Sequence, residues 1–399
     1  MSDRPVATEE RRSSGLQTVP LGIAPLVVLV AVIVAFLLLD PLKSIRPEVP
    51  PVEELTVTRA VLDSDPYSIE LSVTNGGPDP VTIAQVLVDD AYWQFEMEPG
   101  NKLDRLDRGT ITIPYPWIDG EPHHIVLISS SGVLFEHEVA VATETPRGTA
   151  RSLWAFTLVG LFVGVIPVLL GLLWLPFLRR LTQRWVDFFL ALTAGLLTFL
   201  AVDAVDEALE VTGAVPGAFQ GVGLLAVGII VALAALYATD AWMRKRRGEP
   251  SPFYIATLIA IGIGLHNLGE GLAIGAAFSL GEVGFTTFLI LGFMIHNITE
   301  GLGIVAPLAR TRPAIRSLIG LGLLAGVPTI LGAWSGGLAY SPTFVVLFLG
   351  IGAGAIVQVV LEIGKLLRRG SRAAAAPLNA MGFVAGVLVM YVTGLFVAA

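Results

Sequence analysis

A chain of 399 residues with a mean hydropathy of +0.74, only 15% charged residues and 43 glycines is too apolar to clothe a soluble surface of that size. Long uncharged runs rich in glycine point instead to a polytopic helical membrane protein, with the lipid bilayer as its first partner. The absence of cysteine excludes disulfides and thiolate metal sites, and the formal net charge of −8 becomes informative only when divided by region.

In chain order, residues 1–19 form a polar tail carrying Arg4, Arg11 and Arg12. The run PLVVLVAVIVAFLLL follows and predicts an anchor helix over 20–41. It is long for a signal-peptide core, and no small-residue cleavage site follows, so the anchor is expected to stay on the chain.

Residues 42–151 change character. Alternating runs such as SIELSVTN, PVTIAQVLV, GTITIPY and HHIVLISS are separated by the turn signals NGGPDP and SSSG. This pattern predicts an antiparallel β-sandwich, of which the immunoglobulin type is one form. The segment holds 18 acidic against 8 basic residues, a balance that suits an extracytoplasmic surface and names no partner. The flanks KSIRPEVPPVEE and TETPRGTA read as linkers. If HHIVLISS and VLFEHEV form a hairpin with Ser129 opposite Val133, Ile125 faces His137 and His123 lies diagonal to it. That pair supplies two ligands for a weak metal-capture site, weighed against ordinary solvated surface histidines, which are the favoured reading.

Eight further spans are expected within 152–399, at 153–177, 186–208, 219–242, 253–277, 284–308, 315–338, 343–366 and 377–398. The expected fold is therefore an all-α membrane bundle of eight helices plus one N-terminal helix, with an extracytoplasmic all-β sandwich. Basic residues set its orientation. Of 25 Lys and Arg, 17 fall in the N-terminal tail or in the connections after the second, fourth, sixth and eighth spans, all on one side when nine helices are threaded in order. The other eight lie in 42–151, and the short opposite connections carry none. The positive-inside rule then puts the N-terminus in the cytoplasm, and the β-domain and C-terminus outside the cell membrane.

Two of these spans carry the same polar set. HNLGEGLAIGA starts at His266 and HNITEGLGIVA at His296. On a helix, His266 stacks over Glu270 and His296 over Glu300, while Asn267 and Asn297 sit about 100° round from their histidines. Both motifs fall about halfway across the bilayer, and the short connection SLGEVG makes their helices antiparallel neighbours. Nitrogen and oxygen ligands without sulfur suit Zn²⁺, Mn²⁺, Fe²⁺ or Co²⁺, with Zn²⁺ the first candidate. Two ionised carboxylates at that depth repel, and one divalent cation cancels their charge. When the cation leaves, protons replace it, so metal and proton occupancy are linked. The bland alternative is a helix–helix hydrogen-bond network. Duplication of the motif, with Gly271 and Gly301 after each glutamate, weighs against it. An intramembrane zinc protease is disfavoured because HExxH is absent and Asn267 and Asn297 cannot act as general bases. No enzyme activity is expected, no nucleic-acid partner, and no resident cofactor beyond a transported metal.

HNLGEG and HNITEG in consecutive spans resemble the metal-binding fourth and fifth helices of the ZIP family of divalent-metal transporters. LTAGLLTFLAVDAVDEA resembles the family's second helix, with Asp206 where a proline usually precedes the glutamate, and LFLGIGAGAIVQVVLEI resembles its seventh. The resemblance covers about 152–399. It implies His266, Asn267, Glu270, His296, Asn297 and Glu300 as metal ligands, and inward movement of the metal. It further implies an elevator-like shift of spans two, five, six and seven against three, four, eight and nine, and a possible homodimer. Three departures stand out. Gly269 and Thr299 replace the prolines usual before each motif glutamate. Val327-Pro328 replaces a Glu-Pro pair that helps bridge two metals. The loop RKRRGEPSP lacks the histidines of many members. From Val327 a single metal at a time is expected, because two would leave an uncompensated positive charge in low dielectric.

Three carboxylates remain as candidates for metal access or release. Asp203 and Glu207, with Asp206 and Glu210 nearby, form either an acidic funnel or a solvated helix end, with equal weight on each. Glu362 can assist release or simply pair with Lys365, the latter preferred, and Asp240 is expected at the membrane interface. The absence of a nucleotide-binding loop points to an ion gradient as driving force. The rival to a transporter is a non-transporting metal sensor or scaffold, in which the β-domain is the working part and the bundle an anchor.

Overall fold

The computed structural model describes residues 15–39, 51–247, 251–279, 283–368 and 376–395. Most of the polar tail, the first part of the KSIRPEVPPVEE linker, the centre of SLGEVG and basic residues Arg369 and Arg372 lie outside the described residues. The chain forms two units, Met1–Pro51 and Val52–Ala399. The first holds helix α1, Gly15–Leu39, which includes the apolar stretch Pro25–Phe36.

The second unit begins with nine strands: β1 (Leu55–Ser64), β2 (Tyr67–Asn75), β3 (Val81–Val88), β4 (Ala91–Trp93), β5 (Glu96–Glu98), β6 (Lys102–Leu103), β7 (Arg108–Ile113), β8 (His123–Ser129) and β9 (Leu134–Val139). They pair antiparallel in two sheets, ordered β1-β2-β7-β5 and β4-β3-β8-β9, with β6 also on β3. Alternation drives this arrangement. Ile69, Leu71 and Val73 on β2, Ile111 and Ile113 on β7, and Ile125 and Leu127 on β8 are all buried in one shared core. The NGGPDP turn is held by Asn75, whose side-chain amide donates to Asp79 O at 2.9 Å and Leu103 O at 3.0 Å. The segment TETPRGTA is not a free linker. Thr145 exchanges hydrogen bonds with Leu62 of β1, and Arg147 pairs with Asp63.

Eight helices among the described residues are long and apolar enough to cross a membrane. They are α2 (Ala150–Leu178), α3 (Gln183–Val211), α4 (Gly221–Arg247), α5 (Pro252–Ser279), α6 (Val283–Val305), α7 (Ile315–Ala339), α8 (Pro342–Leu367) and α9 (Ala376–Leu395). Helix α2 starts at a capping box in which Thr149 and Ser152 satisfy each other's backbone N–H, and a π-helical turn at Leu161–Val165 interrupts it.

Much of the glycine content serves close packing of helix on helix. A Cβ on Gly271 of α5 would collide with Thr329 O of α7, and one on Gly332 of α7 with Leu268 O of α5. The same backbone-to-backbone approach recurs at Gly171 and Gly301 between α2 and α6, at Gly354 between α8 and α4, and at Gly386 between α9 and α3. Small residues every fourth position let helices meet where side-chain hydrophobicity supplies no drive in lipid. The result is two sets of helices, α2, α5, α6, α7 and α3, α4, α8, α9, each packed most closely within itself, with α5 against α8 as the main contact between them.

Candidate metal site

The two HNxxE motifs lie near the middle of α5 and α6 and meet. His266, Asn267, Glu270, His296, Asn297 and Glu300 are all buried, each 4% exposed or less. The i, i+4 spacing puts each histidine and glutamate on one face. Gly271 and Gly301, directly after the glutamates, let α7 and α2 close over those faces.

The two glutamates, identical in local sequence, have different surroundings. Glu270 is well supplied: His296 Nε2 bonds its Oε1, Asn297 Nδ2 donates to its Oε2 at 3.1 Å, and His266 Nε2 stands 3.3 Å from Oε1. Glu300 is buried with both carboxylate oxygens unpartnered. His266 has no partner on Nδ1, and its Nε2 has only the 3.3 Å approach to Glu270. A buried carboxylate without donors is costly unless a cation or a proton joins it.

One ligand atom each from His266, His296 and Glu300 lie within 4.8 Å of one another, the only such grouping of three or more His or carboxylate side chains among the described residues. A tetrahedral ion with ligand bonds near 2.1 Å needs ligand atoms about 3.4 Å apart. Because His296 Nε2 serves Glu270, ligation through that nitrogen must break this bond.

The asparagines show how the cavity is built. Asn267 Nδ2 donates to Ala325 O of α7 at 3.1 Å, and Asn297 Nδ2 donates to Val163 O of α2 at 3.0 Å. With each amide nitrogen turned to a neighbouring helix, each Oδ1 is buried and unpartnered, available to a cation. Val163 offers its carbonyl because it sits in the π-helical turn. Pro328 removes the N–H that Leu324 O would accept and loosens α7 one turn from Ala325. Sequence reasoning did not find these carbonyls. Pro328 was the one available signal, since a backbone oxygen leaves no trace in residue type. Nor did it single out Thr329 and Gln358, buried with unpartnered polar atoms, whose only mark is a hydroxyl and an amide in apolar runs.

The other candidates are placed apart from the cluster of three. Asp203 is exposed and Glu207 half-buried on α3, and both lie in electrostatic range of His266 and Glu270. Glu362 is buried, its oxygens bonded by Arg244 Nη2 and Lys365 Nζ, so the expected Lys365 pairing holds with Arg244 added. Asp240 is buried in the protein and accepts from Arg244 Nε at 2.7 Å. Packing of α4 on α8 draws it inward.

In the sandwich, Ile125 pairs with His137 as the hairpin predicts. The surface-histidine reading fails for His123, which is 3% exposed and bonded through Nδ1 to Asp89 at 2.8 Å. Its register makes it part of the inner face, beside Ile125 and Leu127. Among the described residues, His123 and His137 belong to no group of three ligand-bearing side chains with atoms close enough to share an ion.

No family model matches this chain, and no curated protein matches its sequence.

Proposed function

We propose that this protein is a membrane transporter of the ZIP type that moves a divalent transition-metal cation, Zn²⁺ first among them, into the cytoplasm. His266, His296 and Glu300 form the core of the site, with Glu270 and the side-chain oxygens of Asn267 and Asn297 completing it. The observation that carries this reading is Glu300: a buried carboxylate with no well-formed hydrogen bond on either oxygen, beside two imidazoles, His266 and His296. A structural network would have satisfied it, as Glu270 is satisfied.

Charge balance supports one cation at a time. Two carboxylates neutralise one M²⁺, and Val327 adds no third. Departure of the ion leaves Glu300 to be neutralised by a proton, which links transport to pH. The two sets of helices, joined chiefly by α5 against α8, support movement of α2, α5, α6 and α7 as one body past the other four. Asp203 and Glu207, in electrostatic range of His266 and Glu270, support a role in drawing cations toward the site.

The test is metal flux into proteoliposomes carrying the purified full-length chain, assayed with Zn²⁺, Mn²⁺, Fe²⁺ and Co²⁺. Uptake of at least one metal, abolished by His266→Ala, is the expected result. Saturable metal binding with no flux of any metal overturns transport in favour of a sensor or scaffold.

A further inference from the structure

We propose that the cleft between the β-sandwich and the α3–α4 and α7–α8 loops is a binding site for a small molecule carrying two oxyanion groups, a dicarboxylate or a bisphosphate, held by Arg59 and Arg108.

The cleft encloses about 340 Å³, within the range of small-molecule sites. One wall is the outward face of the β1-β2-β7-β5 sheet. Since Leu71, Val73 and Ile111 point into the core, alternation turns Arg59, Ser72, Thr74, Arg108 and Thr110 the other way. The opposite wall is the helical end around Phe219, Tyr340 and Ser341. Glu54, just before β1, fixes the two walls together by accepting from Gly217 N at 2.7 Å.

Arg59 is the informative residue. It is half-buried, its Nε is shielded from solvent without a partner, and its guanidinium makes no ion pair among the described residues. Glu70, diagonally across β2, lies in electrostatic range but does not bond it. Burial pulls the Arg59 pKa below the ordinary value, the mark of a cation short of compensation. Arg108, two strands away in the same cleft, has a guanidinium with no hydrogen bond or ion pair among the described residues, and Glu98 at the rim pairs with neither arginine. Two strand spacings are roughly 10 Å, so one ligand with an oxyanion at each end reaches both forks, each of which matches a carboxylate or phosphate bidentately. The hydroxyls of Thr110 and Ser341 supply further donors. Neither arginine belongs to the metal site, and the inference does not rest on the transport reading.

Isothermal titration calorimetry of the full-length protein in detergent, with succinate, citrate and pyrophosphate as probes and glucose as neutral control, tests the assignment. Saturable, salt-sensitive binding of at least one anion is expected, weakened roughly tenfold to a hundredfold by Arg59→Gln or Arg108→Gln. Carboxylate or phosphate preference follows from which probe binds. Ser341→Trp fills the cleft from the helical wall while leaving both arginines in place, and should abolish binding too. Absence of saturable binding for all three anions, or wild-type affinity in the Arg59→Gln/Arg108→Gln or Ser341→Trp variants, overturns the proposal. Zn²⁺ titration of the same variants should be unchanged, which separates this test from that of the metal site.

Discussion

Replacing Glu300 with Gln sets the metal reading against a structural one, because the two predict opposite signs. Both oxygens of Glu300 are buried without a well-formed hydrogen bond, Asn267 being a nearby side-chain donor, so the metal-free protein has little hydrogen bonding to lose. Gln keeps the volume and is neutral without the proton that Glu300 must take up when no metal is bound. The melting temperature in the presence of chelator should therefore stay level or rise. Metal binding should move the other way. With Glu270 alone, M²⁺ leaves one positive charge uncompensated among buried apolar helices, at a cost of about 3 kcal/mol, or about a hundredfold in Kd. Glu270→Gln is the contrast. Glu270 accepts from Asn297 at 3.1 Å and from His296, so its loss should destabilise even the metal-free protein, by about 1–3 kcal/mol. Zn²⁺ competition against a chelating dye, with thermal melts in chelator, measures both quantities. Undiminished affinity in Glu300→Gln, or a lowered metal-free melting temperature with affinity intact, refutes the reasoning.

Gly271→Leu should lower stability by about 1–3 kcal/mol or more and abolish metal binding, because any Cβ there meets Thr329 O of α7; thermal melts check it. Gly320→Ala on the same α7, with open space at its Cβ, should raise the melting temperature slightly. Arg244→Gln leaves Asp240 without its Arg244 partner and Glu362 with Lys365 alone, and should cost on the order of 3 kcal/mol. Adding Asp240→Asn should recover much of that loss in the same melts. In the sandwich, burial alone would raise the Asp89 pKa, but bonds from Tyr115, the His124 amide and His123 outweigh it and hold the carboxyl below its ordinary value. A depressed carboxyl contributes stability above about pH 3.9 that is lost as pH falls through its folded value. Burial also depresses His137, so its contribution is full above about pH 6.5 and lost as pH falls through the folded value. Hydrogen exchange along β8 and β9 should quicken in two steps on acidification, and His137→Gln should remove the upper one.

Element positions were legible in the residues alone. A run such as PLVVLVAVIVAFLLL or an alternation such as SIELSVTN carries its own period, and α2–α9 and β2, β3, β7 and β8 lie where those periods put them. The short β4, β5 and β6 carry too few residues to show a period, and TETPRGTA looked like a linker because its Thr145 pairing partner, Leu62, is far away in the chain. His123 was misjudged for a related reason: its polarity suggests surface, but its parity on β8 places it inward, where Asp89 receives it.

The sequence by itself determined which groups occur at the site, their i, i+4 spacing and their depth in apolar helices, because these follow from covalent order and helical period. It could not tell Glu270 from Glu300, which sit in matching motifs. Only the tertiary structure decided that one is bonded by His296 and Asn297 while the other has no well-formed hydrogen bond. Those partners come from the rotation and approach of neighbouring helices, set by glycine contacts, a π-helical turn and Pro328, and no local pattern records how far one helix turns against the next.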